Sequence, residues 1–217
     1  MGVYDERKSK SLHMLGMHGS VYANYSVQEA DLILALGSRL DDRITGNING
    51  YAPKAHLAYK KNKGGLIHIA NSMNQIYKVK KISNPDISIC SDVKTILKEL
   101  NTFTFNNDIT EWLNQINKWK KDYPFFYIPS KSGKPKTQEV IKKIYNYVEL
   151  NKLNNNLIIT TGVGNHQMMS AQFYRWTKPN TIITSGSSGT MGVGLPFAIG
   201  SQFANPDKTV LSLDGDG

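Results

Sequence analysis

Cysteine is almost absent from this 217-residue chain, which contains only Cys90. No intramolecular disulfide can form, and the position of Cys90 in an apolar run at residues 87–90 predicts a buried strand thiol in a reducing compartment. No stretch approaches the roughly 18 consecutive apolar residues of a membrane span, and the first ten residues contain no apolar signal core. These absences exclude a disulfide scaffold and predict that the protein has no membrane partner.

Acidic residues are few relative to basic ones: the chain has 17 Asp and Glu and 26 Lys and Arg, which gives a net charge of +9. The lysine runs at residues 60–63, 78–81 and 118–121 do not alternate regularly with aromatic side chains, as a base-stacking surface would. We therefore interpret them as solvated surface and expect no nucleic-acid partner. A basic binding module stays open as an alternative, and a steep salt dependence of binding to nucleic acid would favour it.

Short apolar runs bounded by Gly, Asn or Asp alternate with helical patterns along the chain. Such alternation predicts an α/β fold with parallel sheets in three-layer units. The predicted strands lie at residues 32–36, 66–69, 87–90, 157–160, 181–183 and 209–213. The predicted helices lie at residues 93–100, 109–121, 137–147, 166–174 and 191–203.

The strand signal disappears between residues 102 and 136, where a Trp-bearing helix precedes a cluster rich in Pro, Ser, Gly and Lys. This change predicts an α/β domain over residues 1–104, a helical linker over 105–136 and a second α/β domain over 137–217. The last predicted strand leads into a glycine turn and then the chain stops. A strand of this kind usually feeds a helix or ligand loop, so we expect the chain to be truncated.

Three segments combine a strand end with glycines. Gly215-Asp216-Gly217 follows a strand, where a carboxylate is well placed to bind the Mg²⁺ of a diphosphate, although an isolated match is more often a simple turn. The segment TTGVGNHQMM at residues 160–169 would direct backbone N–H groups toward an anion. It lacks the third glycine of a dinucleotide fingerprint, so a nicotinamide cofactor is not supported. The small residues of segment 184–200 allow close packing or ligand approach.

The order and identity of these segments closely resemble acetolactate synthase catalytic subunits, especially the fungal ones, within the thiamine-diphosphate enzymes. The resemblance extends from about Ser11 to the chain end and rests on the motifs LGMHG at 15–19, YANY at 22–25, DDRITGN at 41–47, QINKWKK at 115–121, GVG at 162–164, HQM at 166–168, TMG at 190–192 and LDGDG at 213–217.

The resemblance implies three cofactors: thiamine diphosphate, Mg²⁺ and a largely structural FAD. By resemblance, the residues that contact FAD are Leu15, Gly16, Met17, His18, Gly37, Ser38, Arg39, Leu40, Asp41, Ser91 and Asp92. Asn165 and His166 would bind the diphosphate, Gly189 and Met191 the aminopyrimidine, and Asp216 the Mg²⁺. The glutamate that activates thiamine in this family lies outside this chain, so no catalytic residue is assigned and the isolated 217 residues are expected to be inactive.

The sequence also departs from the family pattern. Asn165 replaces a Gln, Ser187 and Ser188 replace a Gly-Leu pair, Ala70 replaces an acidic residue expected to contact FAD, and Ser38 and Leu40 replace an Ala or Val and a Phe. These departures leave a decayed relative open as an alternative. Another thiamine-diphosphate enzyme, such as a 2-oxo acid decarboxylase or oxidase, also stays open, because these enzymes share the diphosphate motif. The resemblance further implies 2-oxo acid substrates, a homodimer or larger assembly with a regulatory subunit, and the mitochondrial matrix, with the cytoplasm as the alternative.

Overall fold

The computed structural model describes residues 1–215, which form two compact units. The N-proximal unit comprises residues 15–17 and 21–124, and the C-proximal unit comprises residues 1–14, 18–20 and those from 125 onward. The predicted domain limits at residues 104 and 136 remain predictions. The α/β class with parallel sheets is confirmed in both units.

The N-proximal unit is built on a parallel sheet in the order β1-β2-β3. Its middle strand is the most deeply buried, with Leu66, His68 and Ile69 at most 1% exposed. The strands are β1 (Leu32–Leu36), β2 (Gly65–Ala70) and β3 (Ile87–Cys90). The helices are α1 (Val21–Glu29), α2 (Asp42–Thr45), α3 (Pro53–Lys60), α4 (Met73–Ser83), α5 (Val93–Leu100) and α6 (Thr110–Asp122).

The two outer strands of this sheet are less buried than their apolar sequences predict. In β1, Leu32 and Leu34 are 51% and 41% exposed, and Cys90 at the end of β3 is also exposed. The prediction of a buried Cys90 thiol is therefore wrong. Among residues 1–215, each outer strand pairs with β2 on one side and has no strand on the other, so an apolar run that would be buried in the middle of a sheet stays open at its edge.

The C-proximal unit contains a second parallel sheet, in the order β5-β4-β6. Its core gathers Ile141, Ile159, Phe173 and Trp176 from two helices, the middle strand and a loop. The strands are β4 (Leu157–Thr161), β5 (Ile182–Thr184) and β6 (Thr209–Leu213). The helices are α7 (Thr137–Leu150), α8 (Asn165–Phe173) and α9 (Gly194–Ala204).

All six predicted strands and all five predicted helices are present, with bounds shifted by no more than three residues. Two bounds shift by three residues: α7 ends at Leu150, and α9 begins at Gly194 and leaves Met191 in the preceding loop. Gly192 has φ +74°, a left-handed conformation that does not belong to a right-handed helix. None of the helices in residues 1–215 is long and apolar enough to cross a bilayer.

The first residues of the chain pack into the C-proximal unit through Glu6. Glu6 N–H donates to Trp176 O at 3.0 Å, and Trp176 N–H donates to Glu6 Oε2 at 3.2 Å. Glu6 is only 7% exposed, and its burial raises the pKa of the carboxyl above its ordinary value of 4.5, although the Trp176 hydrogen bond opposes this effect. An ionised Glu6 therefore costs the folded state stability.

We expect Glu6→Gln to raise the melting temperature at pH 8 by about 2 to 4 °C, while changing it little at pH 4. Because the pKa of Glu6 is raised on folding, its contribution to stability is complete below 4.5 and is lost as the pH rises through the folded pKa. Thermal unfolding from pH 4 to 8 measures this difference. Parallel pH curves for the wild type and the variant would contradict it.

Asp5 provides a control of opposite sign. Hydrogen bonding from Arg7 lowers the pKa of Asp5 to about 2, so its contribution to stability is present above the ordinary value of 3.8 and is lost as the pH falls toward 2. We expect Asp5→Asn to lower the melting temperature slightly at neutral pH, because the Asp5 side chain is 21% exposed and its ion pair is partly screened by water.

Candidate functional site

In the N-proximal unit, the loops that follow β1, β2 and β3 leave the sheet at the same edge. Parallel α/β sheets bind ligands at this carboxyl edge. A cavity of about 500 Å³ lies there, and it includes the predicted residues Gly37, Arg39 and Asp92. The rest of its lining is Ala70, Asn71, Ser72, Asn74, Gln75, Lys78 and Val93.

The loop after β1, residues 37–41, is held by two side chains from other elements. His68 Nε2 donates to Ser38 O at 2.8 Å, and Ser83 Oγ donates to Leu40 O at 2.6 Å. Leu40 is buried despite a φ of +44°, so these bonds and its packing offset an unfavourable backbone conformation. The loop thereby presents Arg39, whose guanidinium pairs with Asp41 at 2.6 Å.

Around the same cavity, the ends of β2 and β3 supply one carboxylate. Asp92 caps α5, with its Oδ1 accepting from Thr95 N–H at 3.1 Å, and Ser91 N–H donates to Ala70 O at 2.9 Å. No carboxylate stands at Ala70, and the cations that line the cavity are Arg39 and Lys78. The cavity is therefore suited to a ligand that carries negative charge.

A second cavity in this unit, of about 350 Å³, is bordered by the predicted residues Leu15, Gly16 and Met17. These three residues form a strap that is held by Asn24 on α1. The Asn24 Oδ1 accepts from Gly16 N–H at 2.9 Å, and the Asn24 Nδ2 donates to Gly16 O at 3.0 Å. Met17 is 63% exposed. His18 belongs to the C-proximal unit, where its carbonyl accepts from Gln172 Nε2 at 2.9 Å.

In the C-proximal unit, the carboxyl ends of β4, β5 and β6 lie side by side. Thr161 at the end of β4 is in register with Thr184 of β5 and Leu213 of β6. The turns that follow therefore emerge together at one edge of the sheet. Near the end of β6, a cavity of about 420 Å³ is lined by Asn165, His166, Ser212, Leu213, Asp214 and Gly215 and by four residues at 135–141.

Gln167 ties the first turn of α8 to this edge. Its Nε2 donates to Thr184 Oγ1 at 2.7 Å and to Ser185 O at 3.4 Å. The Thr184 hydroxyl also lies 2.7 Å from the buried Thr161 hydroxyl. This chain of bonds fixes the β4 and β5 loops relative to the start of α8.

Asp214 follows β6, and its carboxylate lies between two glycine backbones. A Cβ atom on Gly162 would overlap Asp214 Oδ1, and a Cβ atom on Gly194 would overlap Asp214 Oδ2. Asp214 Oδ1 also accepts from Gly215 N–H at 3.1 Å. Both positions therefore need glycine because the Asp214 carboxylate leaves no room for a side chain, and not because of their backbone conformation.

The imidazole of His166 lies beside this carboxylate. Its side chain is 16% exposed, and its Nε2 lies 3.7 Å from Asp214 Oδ1. Nε2 is buried and has no hydrogen-bond partner among residues 1–215. A buried ring nitrogen in that state, next to the N-terminal turn of α8, marks a place where a polar ligand group can bind.

The structure brings only some of the other predicted residues of this site together. Asn165 is the first residue of α8 and is exposed. A Cβ atom on Gly189 would contact Val163, so the β5–α9 loop approaches the β4–α8 loop there. Met191 is 66% exposed. Asp216 lies outside the described residues, and within residues 1–215 no three His, Cys, Asp or Glu side chains cluster as a metal site.

Two protein-family models match the chain. The central domain of thiamine pyrophosphate enzymes matches residues 1–100, and the C-terminal TPP binding domain of the same enzymes matches residues 162–217. The chain belongs to the thiamine pyrophosphate enzymes. The second match covers the β4–α8 turn, His166 and Asp214, which are the residues that form the carboxyl edge of the C-proximal sheet.

Similar proteins of this family extend over the whole chain. It is 49% identical to the mitochondrial acetolactate synthase of Schizosaccharomyces pombe over 220 residues and 47% identical to the mitochondrial acetolactate synthase catalytic subunit of Saccharomyces cerevisiae over 218 residues. Identity to the chloroplastic acetolactate synthase of Arabidopsis thaliana is 41% over 225 residues. All of this chain is covered in each case, and it spans 31–32% of the length of these relatives.

The sequence analysis did not include four residues that hold the loops around the candidate sites of the two units: Asn24, His68, Gln167 and Asp214. Asn24, Gln167 and Asp214 lie within motifs that carried the family resemblance, so their positions were available as a signal. His68 shows no such signal, because a histidine in an apolar run is most often an ordinary core residue. Only its hydrogen bond to Ser38 O reveals that it holds the loop after β1.

Proposed function

We propose that the carboxyl edge of the C-proximal sheet binds the diphosphate of thiamine diphosphate. The observation that carries this proposal is the buried His166 Nε2, which has no hydrogen-bond partner among residues 1–215 and stands beside the first turn of α8. The match of residues 162–217 to the TPP binding domain supports it.

The residues present fit such a ligand. Gly164 has φ +151° immediately before α8, so the turn needs a glycine and brings backbone close to the site. A phosphate near this turn would meet the free N–H groups of the helix start and the His166 imidazole. In this proposal Asn165 and His166 bind the diphosphate, Gly189 and Met191 the aminopyrimidine, and Asp216 the Mg²⁺.

We propose that the complete protein is the catalytic subunit of an acetolactate synthase. It would condense two molecules of pyruvate, or pyruvate with 2-oxobutyrate, with loss of CO₂. Bound thiamine diphosphate supplies the electron sink for this chemistry. The exposed Met191 would support the cofactor from the β5–α9 loop, and the Gln167 bonds would keep that loop and the diphosphate turn in fixed relation.

We also propose that the N-proximal unit binds FAD. The cavity of about 500 Å³ at the carboxyl edge of β1-β2-β3 has Arg39 and Lys78 for the diphosphate, and Asp92 lies at the end of β3. The strap of Leu15, Gly16 and Met17 would contact a further part of the cofactor. Ala70 cannot supply the acidic contact of the family pattern, so FAD binding here would depend more on the phosphate contacts.

For the complete protein we propose 2-oxo acid substrates, a homodimer or larger assembly with a regulatory subunit, and the mitochondrial matrix as its location. The names of the fungal relatives, which include mitochondrial acetolactate synthases and catalytic subunits, support these assignments. The chloroplastic relatives leave the compartment dependent on the organism.

The test is to express the complete reading frame that contains these residues and to assay acetolactate from pyruvate. We expect product only when thiamine diphosphate and Mg²⁺ are both supplied, and we expect FAD to co-purify or restore activity. His166→Ala should raise the thiamine diphosphate concentration required for half-maximal activity by about tenfold or more, because the buried ligand-facing nitrogen is removed. Asp207→Asn, an exposed change in the same unit, should leave that concentration unchanged.

Other outcomes identify other functions. Acetaldehyde or an oxidised product from pyruvate, without acetolactate, would indicate a decarboxylase or oxidase of the same family. A folded complete protein that binds no thiamine diphosphate and forms no product would contradict the proposal and indicate a decayed relative. Steeply salt-dependent binding to nucleic acid by such a protein would favour a basic binding module.

A further inference from the structure

Met191 lies in a stretch of the β5–α9 loop that helix α9 does not hold. Gly189 and Gly192 stand on either side of it with φ of +59° and +74°, and α9 begins only at Gly194. Glycine has the least restricted backbone of any residue, so the place of Met191 depends on how the loop is tied elsewhere. Since the Met191 side chain is 66% exposed, packing does little to hold it.

Ser185, the first residue after β5, ties this loop through two of its atoms. Its side-chain Oγ accepts from Thr190 N–H at 3.0 Å, which closes the loop immediately before Met191. Its backbone carbonyl accepts from Gln167 Nε2 at 3.4 Å, which holds the other end of the loop against the first turn of α8. Ser185 therefore connects the neighbour of Met191 to the helix that follows the proposed diphosphate turn.

The orientation of the Gln167 amide is fixed by the chemistry of its partners. A carbonyl oxygen can only accept a hydrogen bond, so the amide nitrogen, and not the amide oxygen, must face Ser185 O. The same nitrogen donates to Thr184 Oγ1 at 2.7 Å, and that hydroxyl lies 2.7 Å from the hydroxyl of the fully buried Thr161. The tie through Gln167 is therefore anchored at the buried end of β4.

We propose that Ser185 is a positioning residue, which sets the place of Met191 relative to the diphosphate turn, and that Gln167 supports it by holding the Ser185 carbonyl. This inference rests on the proposed thiamine diphosphate site and deepens it. Asn165 and His166 would determine how tightly the cofactor is bound, whereas Ser185 would determine how the loop at its aminopyrimidine is placed. Misplacement by about 1 Å can lower a rate by about 100-fold.

The experiment uses the complete protein and measures three quantities. They are the exchange rate of the Thr190 amide hydrogen without cofactor, the dissociation constant of thiamine diphosphate with Mg²⁺ by quenching of tryptophan fluorescence, and kcat for acetolactate formation at saturating cofactor. Ser185→Ala removes the acceptor of Thr190 N–H, so we expect that amide to exchange about three to ten times faster, as for the loss of one ordinary hydrogen bond. We expect kcat to fall by about tenfold or more and the dissociation constant to change by less than about threefold.

Two substitutions separate this role from a general loss of stability. Ser185→Thr keeps the Oγ atom and should return the exchange rate and kcat to within about threefold of the wild type. Ser132→Ala is the matched control, because it also removes a serine hydroxyl that forms a hydrogen bond, to Ser130 Oγ at 3.0 Å, but in the segment before α7. We expect Ser132→Ala to leave all three quantities unchanged.

Gln167→Met tests the second half of the tie, because it keeps the length of the side chain and removes both N–H donors. We expect it to lower kcat as well. When it is combined with Ser185→Ala, the loss should be smaller than the product of the two separate losses, since both residues act on one loop. Losses that multiply would show that the two residues act independently.

Several results would overturn the positioning role while leaving the cofactor site intact. They are an unchanged Thr190 exchange rate or an unchanged kcat in Ser185→Ala, or a dissociation constant that rises as much as kcat falls. If the wild type binds no thiamine diphosphate at millimolar concentration, the proposed function fails and this inference falls with it. Should Ser185→Ala not fold, a crystal structure of the wild-type complete protein with thiamine diphosphate and Mg²⁺ decides. A distance from Thr190 N to Ser185 Oγ above about 3.5 Å would contradict the inference, and a shorter one would support it.

Discussion

Replacing Gly162 by alanine is expected to destabilise the protein by about 1 to 3 kcal/mol and to weaken thiamine diphosphate binding by about tenfold or more. The added methyl group would overlap Asp214 Oδ1. Asp214 would have to leave its place between Gly162 and Gly194, or the β4–α8 turn that we propose binds the diphosphate would have to shift. Urea unfolding measures the first effect, and tryptophan fluorescence quenching by the cofactor measures the second.

Gly186 provides the matched control for this substitution. It also follows a strand at the carboxyl edge of the C-proximal sheet, but a Cβ atom there would meet nothing within 4 Å. We expect Gly186→Ala to change the free energy of unfolding by less than about 0.5 kcal/mol. Equal effects of the two substitutions would show that glycine conformational freedom, and not the space occupied by Asp214, controls the outcome.

Trp176→Ala is expected to cost about 3 to 5 kcal/mol of unfolding free energy, the largest stability effect that we predict. Trp176 is the largest fully buried side chain of the chain's described part and is 1% exposed. Its ring centroid lies 4.5 Å from that of Tyr174, and Trp176 belongs to the same core cluster as Ile141 and Ile159. Such a loss is a large fraction of the 5 to 15 kcal/mol by which a typical domain is stable.

Two further substitutions sharpen this test. Trp176→Phe should cost clearly less than Trp176→Ala, because it keeps most of the buried ring and removes an indole N–H that has no hydrogen-bond partner within residues 1–215. Tyr147→Ala, at a position 62% exposed on α7, should cost less than about 0.5 kcal/mol. A loss below about 1 kcal/mol for Trp176→Ala would contradict the core arrangement described above.

Three departures from the family pattern lie at exposed positions of the C-proximal unit. Ser187 and Ser188 lie in the exposed β5–α9 loop, where added polar side chains meet solvent. Asn165 is exposed at the start of α8, so a shorter amide there alters reach toward the ligand without disturbing packing. These changes are therefore compatible with the fold, and their effects belong to cofactor affinity.

Local pattern was sufficient for most of the secondary structure. Apolar runs bounded by turn residues identified every strand, because a strand in a parallel sheet needs a short apolar segment and a turn. Helix α4 could have been found in the same way, since its buried residues Ile76, Val79 and Ser83 recur at helical spacing. Helix α1 gave a weaker signal, because one of its buried residues is Ser26, whose hydroxyl bonds to Tyr22 O within the helix.

Burial could not be assigned from the strands alone. Leu32 and Cys90 have apolar surroundings in sequence but stand on edge strands that pair with β2 on one side only. Which strand occupies the middle of the sheet is decided by crossover connections between distant segments. A one-dimensional pattern does not contain that order.

The sequence by itself determined the α/β class, the strands, the family resemblance and the segments that carry the candidate sites, because these depend on residue type and local spacing. Only the tertiary structure placed Asp214 between Gly162 and Gly194, His166 beside that carboxylate, and His68 under the loop of Ser38. Those contacts join residues roughly 20 to 50 positions apart in the chain, and they form because parallel strands bring the ends of separate segments to one edge.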